Sequence, residues 1–353
     1  MSSNVVEPTH FRLPDMLSNW PWPRHLNPHY EVCKKESVAW LEMFHAFSPK
    51  AQKAFDLCDF NLLASLGYPL HDKDGCRVGC DLMNLFFVID HHTDIADPAG
   101  ARDQANVLMD VLRNPHMDRP SGEWIGGEVA RQFWLNALLI ATPTFQRHFI
   151  DTFEMYVDGV VEEARDRTEH YIDGIDEFFD LRRNTCGVKP TFAMIEIGMD
   201  IPDEVMQNEH IAALILGGVD MVIIVNDLCS YNVELARSDS HNLVTVVMHS
   251  LHLDFAGALE WISDLHDRVV EKFLLAFSQV PHYSDPDLDR QVTQFIHGIG
   301  NWVRANEVWS FESERYFGKR GKEIQATRMV ELLAKAVPAP KTMSPEILIP
   351  YMA

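Results

Sequence analysis

The chain is short of positive charge, short of cysteine, and without a long unbroken apolar run. Its 353 residues carry 30 Lys and Arg against 52 Asp and Glu, a formal charge of -22 at neutral pH. A surface of that sign repels phosphate backbones and anionic bilayers, which argues against nucleic-acid or membrane partners. A small anionic ligand would need a divalent cation or a concentrated basic patch to offset the field. Six cysteines (Cys33, Cys58, Cys76, Cys80, Cys186 and Cys229) are too dilute for a disulfide scaffold and read as free thiols of a cytoplasmic protein. Cys76 and Cys80 have no second thiolate pair to complete a zinc site. The N-terminus, MSSNVVEPTHFRLPD, lacks the charged-then-apolar order of a signal peptide. The most apolar stretch, IAALILGGVDMVIIV, is interrupted by Gly217, Gly218 and Asp220 and reads as too short and too broken for stable membrane insertion. Sequence motifs for a G-x-S-x-G elbow, a P-loop, a dinucleotide fingerprint and an H-E-x-x-H zinc helix are all missing. Glu42 and His45 stand alone, so the repeated E-x-x-H of a di-iron bundle is missing too.

What the chain does have is helical periodicity. Residues 1–30 are rich in proline and aromatics (WPWPRHLNPHY) and predict an ordered arm that buries Trp20, Trp22 and Tyr30 on the body. Apolar positions at helical spacing follow over 31–46, 49–66, 79–94, 101–115, 122–150 with a kink or break at Pro143, and 151–174. Further helices are expected from Ile175 to the disturbance at Gly187 and Pro190, then over 191–197, 207–237, 243–250, 255–277 and 288–309. No strand pattern or internal repeat competes with this. The prediction is one all-α domain of ten or more helices over 31–330, followed by a proline-punctuated tail, 331–353, that is mobile or lies on the surface.

Three groups of residues could carry chemistry. In VNDLCSYNVE, Asn226, Ser230 and Glu234 fall at i, i+4 and i+8, so a helix would line three oxygen donors along one face. In FFVIDHHTD, Asp90 and Asp94 share a helix face after a strongly apolar run, where a carboxylate needs a partner or a water-filled mouth. Hard oxygen ligands of this kind suit magnesium, which keeps waters and substrate phosphates in its shell. Asp97 fits either the same face or a helix cap, and His91 and His92 are the wrong ligand type for such an ion. The doublet Arg182-Arg183 precedes a helix break and could grip a diphosphate or simply make surface ion pairs. In GNWVRANEVWSFESERYFG, Trp302, Trp309 and Tyr316 recur every seven residues, as a core stripe or as a wall whose ring faces attract a cation. Arg315 and Tyr316 add a donor fork and a phenol.

Together, DHHTD, NDLCSYNVE, RRNTCG and WSFESERYFG resemble the class I sesquiterpene synthases of mushroom-forming fungi, from WPWPRHLNPHY to about Gly318. The resemblance implies an all-α isoprenoid-synthase bundle around a central cavity. It also implies magnesium-dependent cyclisation of farnesyl diphosphate, and the chain looks most like enzymes that make delta-6 protoilludene by an initial 1,11-cyclisation. On that footing Asp90 would be the main aspartate-rich ligand with Asp94 in support. Asn226, Ser230 and Glu234 would complete a site for three magnesium ions. Arg183 would sense the diphosphate, with Arg182 as the alternative, and Arg315 and Tyr316 would close over it. Phe86, Phe87, Trp302 and Trp309 would wall the hydrocarbon pocket. The chain departs from the family pattern at His91, where Glu or Asp is common. A homodimer is compatible with the resemblance. Competing readings are a synthase with another cyclic product, a chain-elongating prenyltransferase, and a helical binding protein without activity.

Overall fold

A computed structural model describes residues 10–169, 174–237 and 241–333. The expected tail from 334 onward lies outside the described residues. Among the described residues fifteen α-helices follow one another: α1 (Tyr30–Glu42), α2 (Pro49–Cys58), α3 (Phe60–Gly67), α4 (Lys73–Thr93), α5 (Pro98–Arg113), α6 (Ile125–Leu138), α7 (Pro143–Glu169), α8 (Ile175–Thr185), α9 (Val188–Ala193), α10 (Asp203–Met206), α11 (Glu209–Arg237), α12 (Leu243–Leu251), α13 (Phe255–Gln279), α14 (Pro286–Glu312) and α15 (Gly321–Thr327). Short side chains set their starts. Asp72 accepts from the Gly75 amide at the head of α4, Asp97 from Gly100 at α5, Asp254 from Gly257 at α13, and Asn242 from Val244 at α12. Asp97 is therefore a helix cap. Prolines at the first turns of α2, α5 and α14 leave no intrahelical hydrogen bond unmade.

Local chemistry overrides periodicity in several places. The helix expected over 49–66 is two, because Asp59 adopts a left-handed backbone (φ 44°) that ends α2, while its carboxylate caps α3 at Leu62. Of the kink or break expected at Pro143 the structure shows the break: α6 ends at Leu138 and Pro143 opens α7. The helix expected from Gly79 starts a turn and a half earlier, behind the Asp72 cap. Among the described residues there is one small sheet: β1 (His10–Arg12) pairs antiparallel with β2 (Met329–Glu331), tying the arm to the end of the body. Three-residue strands have no period for a sequence reading to detect.

Of the three aromatics expected to bury in the arm, Tyr30 is only half-buried, at the first residue of α1. Trp20 and Trp22 are buried, and the indole N–H of Trp20 donates to the Gly300 carbonyl. α11 forms the centre, packed by α13 and α14, with α8, α9 and α12 beside it. Contrary to the sequence expectation, α11 is long and apolar enough to cross a membrane by length and composition. However, 67% of its most apolar window is buried inside the protein, so its apolarity is that of a core helix.

Candidate active site

One cavity, of about 230 Å³, opens between α3, α4, α7, α8, α9, α11 and α14. Its walls follow the chain direction. On α4 the facing residues run Met83, Phe86, Phe87, then Asp90 and Asp94 just beyond. On α7 they run from Tyr156 to Glu163, and on α11 from Val222 and Ile223 to Asn226 and Glu234. Each wall turns from apolar to polar toward its helix C-terminus. The three C-terminal ends add negative dipole character to an already acidic mouth, an arrangement that favours cations. Arg182 and Arg315 bring the opposing charge.

The ladder on α11 is held by contacts the spacing alone could not reveal. The Asn242 side-chain amide donates to the Asp227 carbonyl (2.8 Å), to Ser230 Oγ (3.4 Å) and to Glu234 Oε2 (2.8 Å). One residue thus caps α12 and fixes two members of the ladder. Asn226 donates to the Tyr316 hydroxyl (2.9 Å) and accepts from Arg182 (3.2 Å). Asn226 and Glu234 line the cavity, whereas Ser230 is buried behind its wall, donating to the Asp227 carbonyl.

The arginine doublet divides. Arg182 enters the cavity and donates to Asp227 Oδ1 (3.0 Å), whose other oxygen accepts the Leu243 amide (2.9 Å). Its Nε is buried without a partner. Arg183 does not reach the cavity. About 100° of helix rotation turns it outward, where Nε and Nη2 fork onto Asp220 at 2.8 and 3.0 Å. Arg183, expected as the sensor, thus lies outside the cavity lining, and Arg182, the alternative, lines it.

On the opposite wall Asp90 lies 3.8 Å from Arg315, which also stands over the Phe87 ring. The Asp90 carboxylate is 47% exposed, but to the cavity, so the surrounding protein still raises its pKa, with Arg315 opposing. Asp94 lines the mouth one turn on. His91 is exposed beside Phe47 and does not line the cavity, so the departure from the family pattern points away from the site. His92 is buried against the Ala46 carbonyl. Burial pushes the Tyr316 phenol up to about 12, Arg315 opposing, so it is a hydroxyl donor at neutral pH. Tyr316 does not continue the helical stripe: α14 ends at Glu312, and the chain turns back to set Tyr316 edge-on against Trp309, ring centres 5.7 Å apart.

The floor is aromatic. Phe86 packs on Phe153 and Tyr156, Phe87 stacks on Phe60, and Trp302 and Trp309 descend from α14. The sequence reading missed Tyr156, Glu163, Asp227, Asn242 and Asn306. Glu163 lines the cavity from a helix without a motif; Asn306 and Asp227 were in plain view, inside GNWVRANEVWS and NDLCS.

The mouth suits a hard divalent cation. Its oxygen donors are split between two walls, and among the described residues no three His, Cys, Asp or Glu side chains gather closely enough to enclose an ion by themselves. Such half-sites leave coordination positions for waters and phosphate oxygens, which is how magnesium is held.

Residues 81–272 match the family described as terpene synthase family 2, C-terminal metal binding. The chain belongs to the terpene synthase family. The matched stretch covers more than half of it and contains both oxygen-donor segments. Relatives of this terpene synthase include a Delta(6)-protoilludene synthase of Stereum hirsutum, 54% identical over 91% of this chain and 87% of that one. Another, from Armillaria gallica, is 51% identical over 92% and 94%. Among solved structures, a-eudesmol synthase superimposes with a TM-score of 0.75 over 84% of this chain and 98% of that one, at 19% identity. Germacradien-4-ol synthase from Streptomyces citricolor gives 0.71 over 82% and 98%, at 22% identity. At those identities the structures speak for the fold, a class I terpene synthase bundle.

Proposed function

We propose that this terpene synthase cyclises farnesyl diphosphate to a sesquiterpene hydrocarbon, delta-6 protoilludene, and releases diphosphate. The observation that carries the reading is the division of one cavity into a charged mouth and an aromatic floor. An allylic diphosphate with a long apolar tail has the same division. The product is proposed from relatives named Delta(6)-protoilludene synthases at 50–54% identity over nine-tenths of the chain.

Asp90 and Asp94 on one wall and Asn226, Ser230 and Glu234 on the other are assigned to magnesium, three ions in all with diphosphate present. Bound there, magnesium neutralises charge that develops on the departing diphosphate. Arg182 and Arg315 grip diphosphate oxygens through guanidinium forks, and Tyr316 donates its hydroxyl beside them. Both arginines are held in place beforehand, Arg182 by Asp227 and Asn226, Arg315 by Asp90 and the Phe87 ring. Little reorganisation is then needed when substrate enters.

Phe86, Phe87, Trp302 and Trp309 fold the tail, and their ring faces stabilise the carbocation while excluding water. Tyr156 and Cys186 are the titratable groups lower in the cavity, and burial raises the pKa of both, keeping them protonated. Neither serves as a base, and we assign the final proton to released diphosphate. We take residues 31–330 as the catalytic domain and the cytoplasm as its compartment.

The test is incubation of purified protein with farnesyl diphosphate and magnesium, followed by volatile analysis. A single cyclic hydrocarbon matching delta-6 protoilludene supports the reading. A longer prenyl diphosphate would assign chain elongation instead, and unchanged substrate would rule out both.

A further inference from the structure

We infer that Gly67, which does not line the cavity, determines product distribution by fixing where the Trp302 indole stands in the floor. The inference rests on the cyclisation proposed above. Gly67 ends α3, one turn beyond Leu63, which does touch the cavity. The Trp302 ring lies directly on it: a Cβ added at Gly67 would stand 2.2 Å from Cε2, 2.5 Å from Cζ2 and 2.7 Å from Cδ2 of that indole.

The two tryptophans of the floor are held differently. Trp309 donates its indole N–H to the carbonyls of Cys58 (2.7 Å) and Asp59 (3.1 Å), so hydrogen bonds pin it. Among the described residues Trp302 has no hydrogen-bond partner of acceptable geometry, although the Tyr68 phenol is close. Its position is therefore set by packing. Tyr68 meets it edge-on, ring centres 5.0 Å apart, and is itself immobile: its hydroxyl donates to the Thr191 carbonyl (2.9 Å) and its ring lies on Gly79, where a Cβ would come within 2.5 Å. With α3 behind it and Tyr68 beside it, the direction left open to the Trp302 ring is the cavity.

Gly67→Ala therefore drives the indole into the cavity by about 1.2 Å, the gap between 2.2 Å and the 3.4 Å at which ordinary contact begins. The mouth, built on the far ends of α4, α7 and α11, is untouched. Ionisation should survive while folding of the hydrocarbon tail changes.

The experiment compares wild type, Gly67→Ala, Trp302→Phe, the double variant, and Gly217→Ala as a control glycine whose added Cβ meets Phe273 at an ordinary 3.4 Å. Each is given farnesyl diphosphate and magnesium; diphosphate release and hydrocarbon profile are read separately. In Gly67→Ala, release stays within about threefold of wild type. The ratio of main product to all others falls about tenfold, the low end of what one methylene in an apolar pocket is worth. Gly217→Ala keeps the wild-type profile. The double variant, in which a smaller ring makes room for the methyl, reproduces the Trp302→Phe profile, and it serves alone if Gly67→Ala does not fold. An unchanged profile in active Gly67→Ala overturns the inference. So does a double variant that fails to fold or departs from Trp302→Phe. Absence of release by wild type would instead overturn the cyclisation reading.

Discussion

Replacing Asp227 by Asn probes the part of the site that carries no expected ligand yet holds two elements together. Asp227 is 1% exposed and uses its two oxygens on two different donors, Arg182 Nη2 at 3.0 Å and the Leu243 amide at 2.9 Å. Asparagine keeps the shape but has one acceptor oxygen, so its amide group must meet one of those donors with another donor. If the oxygen stays on Leu243, the charge-assisted bond to Arg182 is lost, at a cost of about 1.5–3 kcal/mol. If it turns to Arg182, the start of α12 loses an acceptor and the Asn242 contacts to Ser230 and Glu234 loosen. Either way the protein loses about that much unfolding free energy in urea. Arg182 is also no longer held, and diphosphate release from farnesyl diphosphate slows at least about tenfold, the equivalent of 1.4 kcal/mol of barrier. Equilibrium unfolding and a coupled diphosphate assay measure the two effects. A variant as stable as wild type and within about twofold in rate would refute the positioning role.

The neighbouring arginines should separate cleanly. Arg182→Ala abolishes diphosphate release, whereas Arg183→Ala, which removes the fork on Asp220, the bond to Asp180 and the contact with the Phe179 ring, leaves turnover largely intact and lowers the melting temperature; equal loss of rate in both would contradict the assignment. His266, on α13, is fully buried with neither ring nitrogen partnered, and burial pushes its pKa from 6.5 down to about 4. Between those values the unfolded chain binds a proton the folded chain refuses, so the stability that depends on a neutral His266 is complete above about pH 6.5 and drains away toward pH 4. His266→Leu should flatten that acid limb in melting curves recorded from pH 7 to 4; an unchanged slope would show that other groups set it.

Much of this was legible in the sequence because helical period and capping residues agree along most of the chain. The expected 207–237 helix became Glu209–Arg237, and its three-rung ladder became the two cavity-facing donors Asn226 and Glu234 with Ser230 behind them. The choice between Arg182 and Arg183 was not legible, because adjacent residues differ only by helix rotation and the packing partner of α8 decides which faces inward. Tyr316 reached the mouth by a turn rather than along the helix it was expected to extend. Asn242 and Gly67 make contacts distant in sequence, where residue spacing carries no signal. For Gly67 the information lies in the missing side chain, which becomes meaningful once Trp302 is seen lying on it.

On the proposed function, the mouth ionises an allylic diphosphate with magnesium held on both walls. This is tested most directly by the rate of diphosphate release from farnesyl diphosphate as magnesium is titrated, in wild type and in Glu234→Gln. The expected result is no release in chelator, a rise with magnesium in wild type, and a curve for Glu234→Gln that is displaced to higher magnesium and lower in maximum, with the fold unchanged. Release independent of magnesium, or a Glu234→Gln curve that overlays wild type at limiting magnesium, would contradict it.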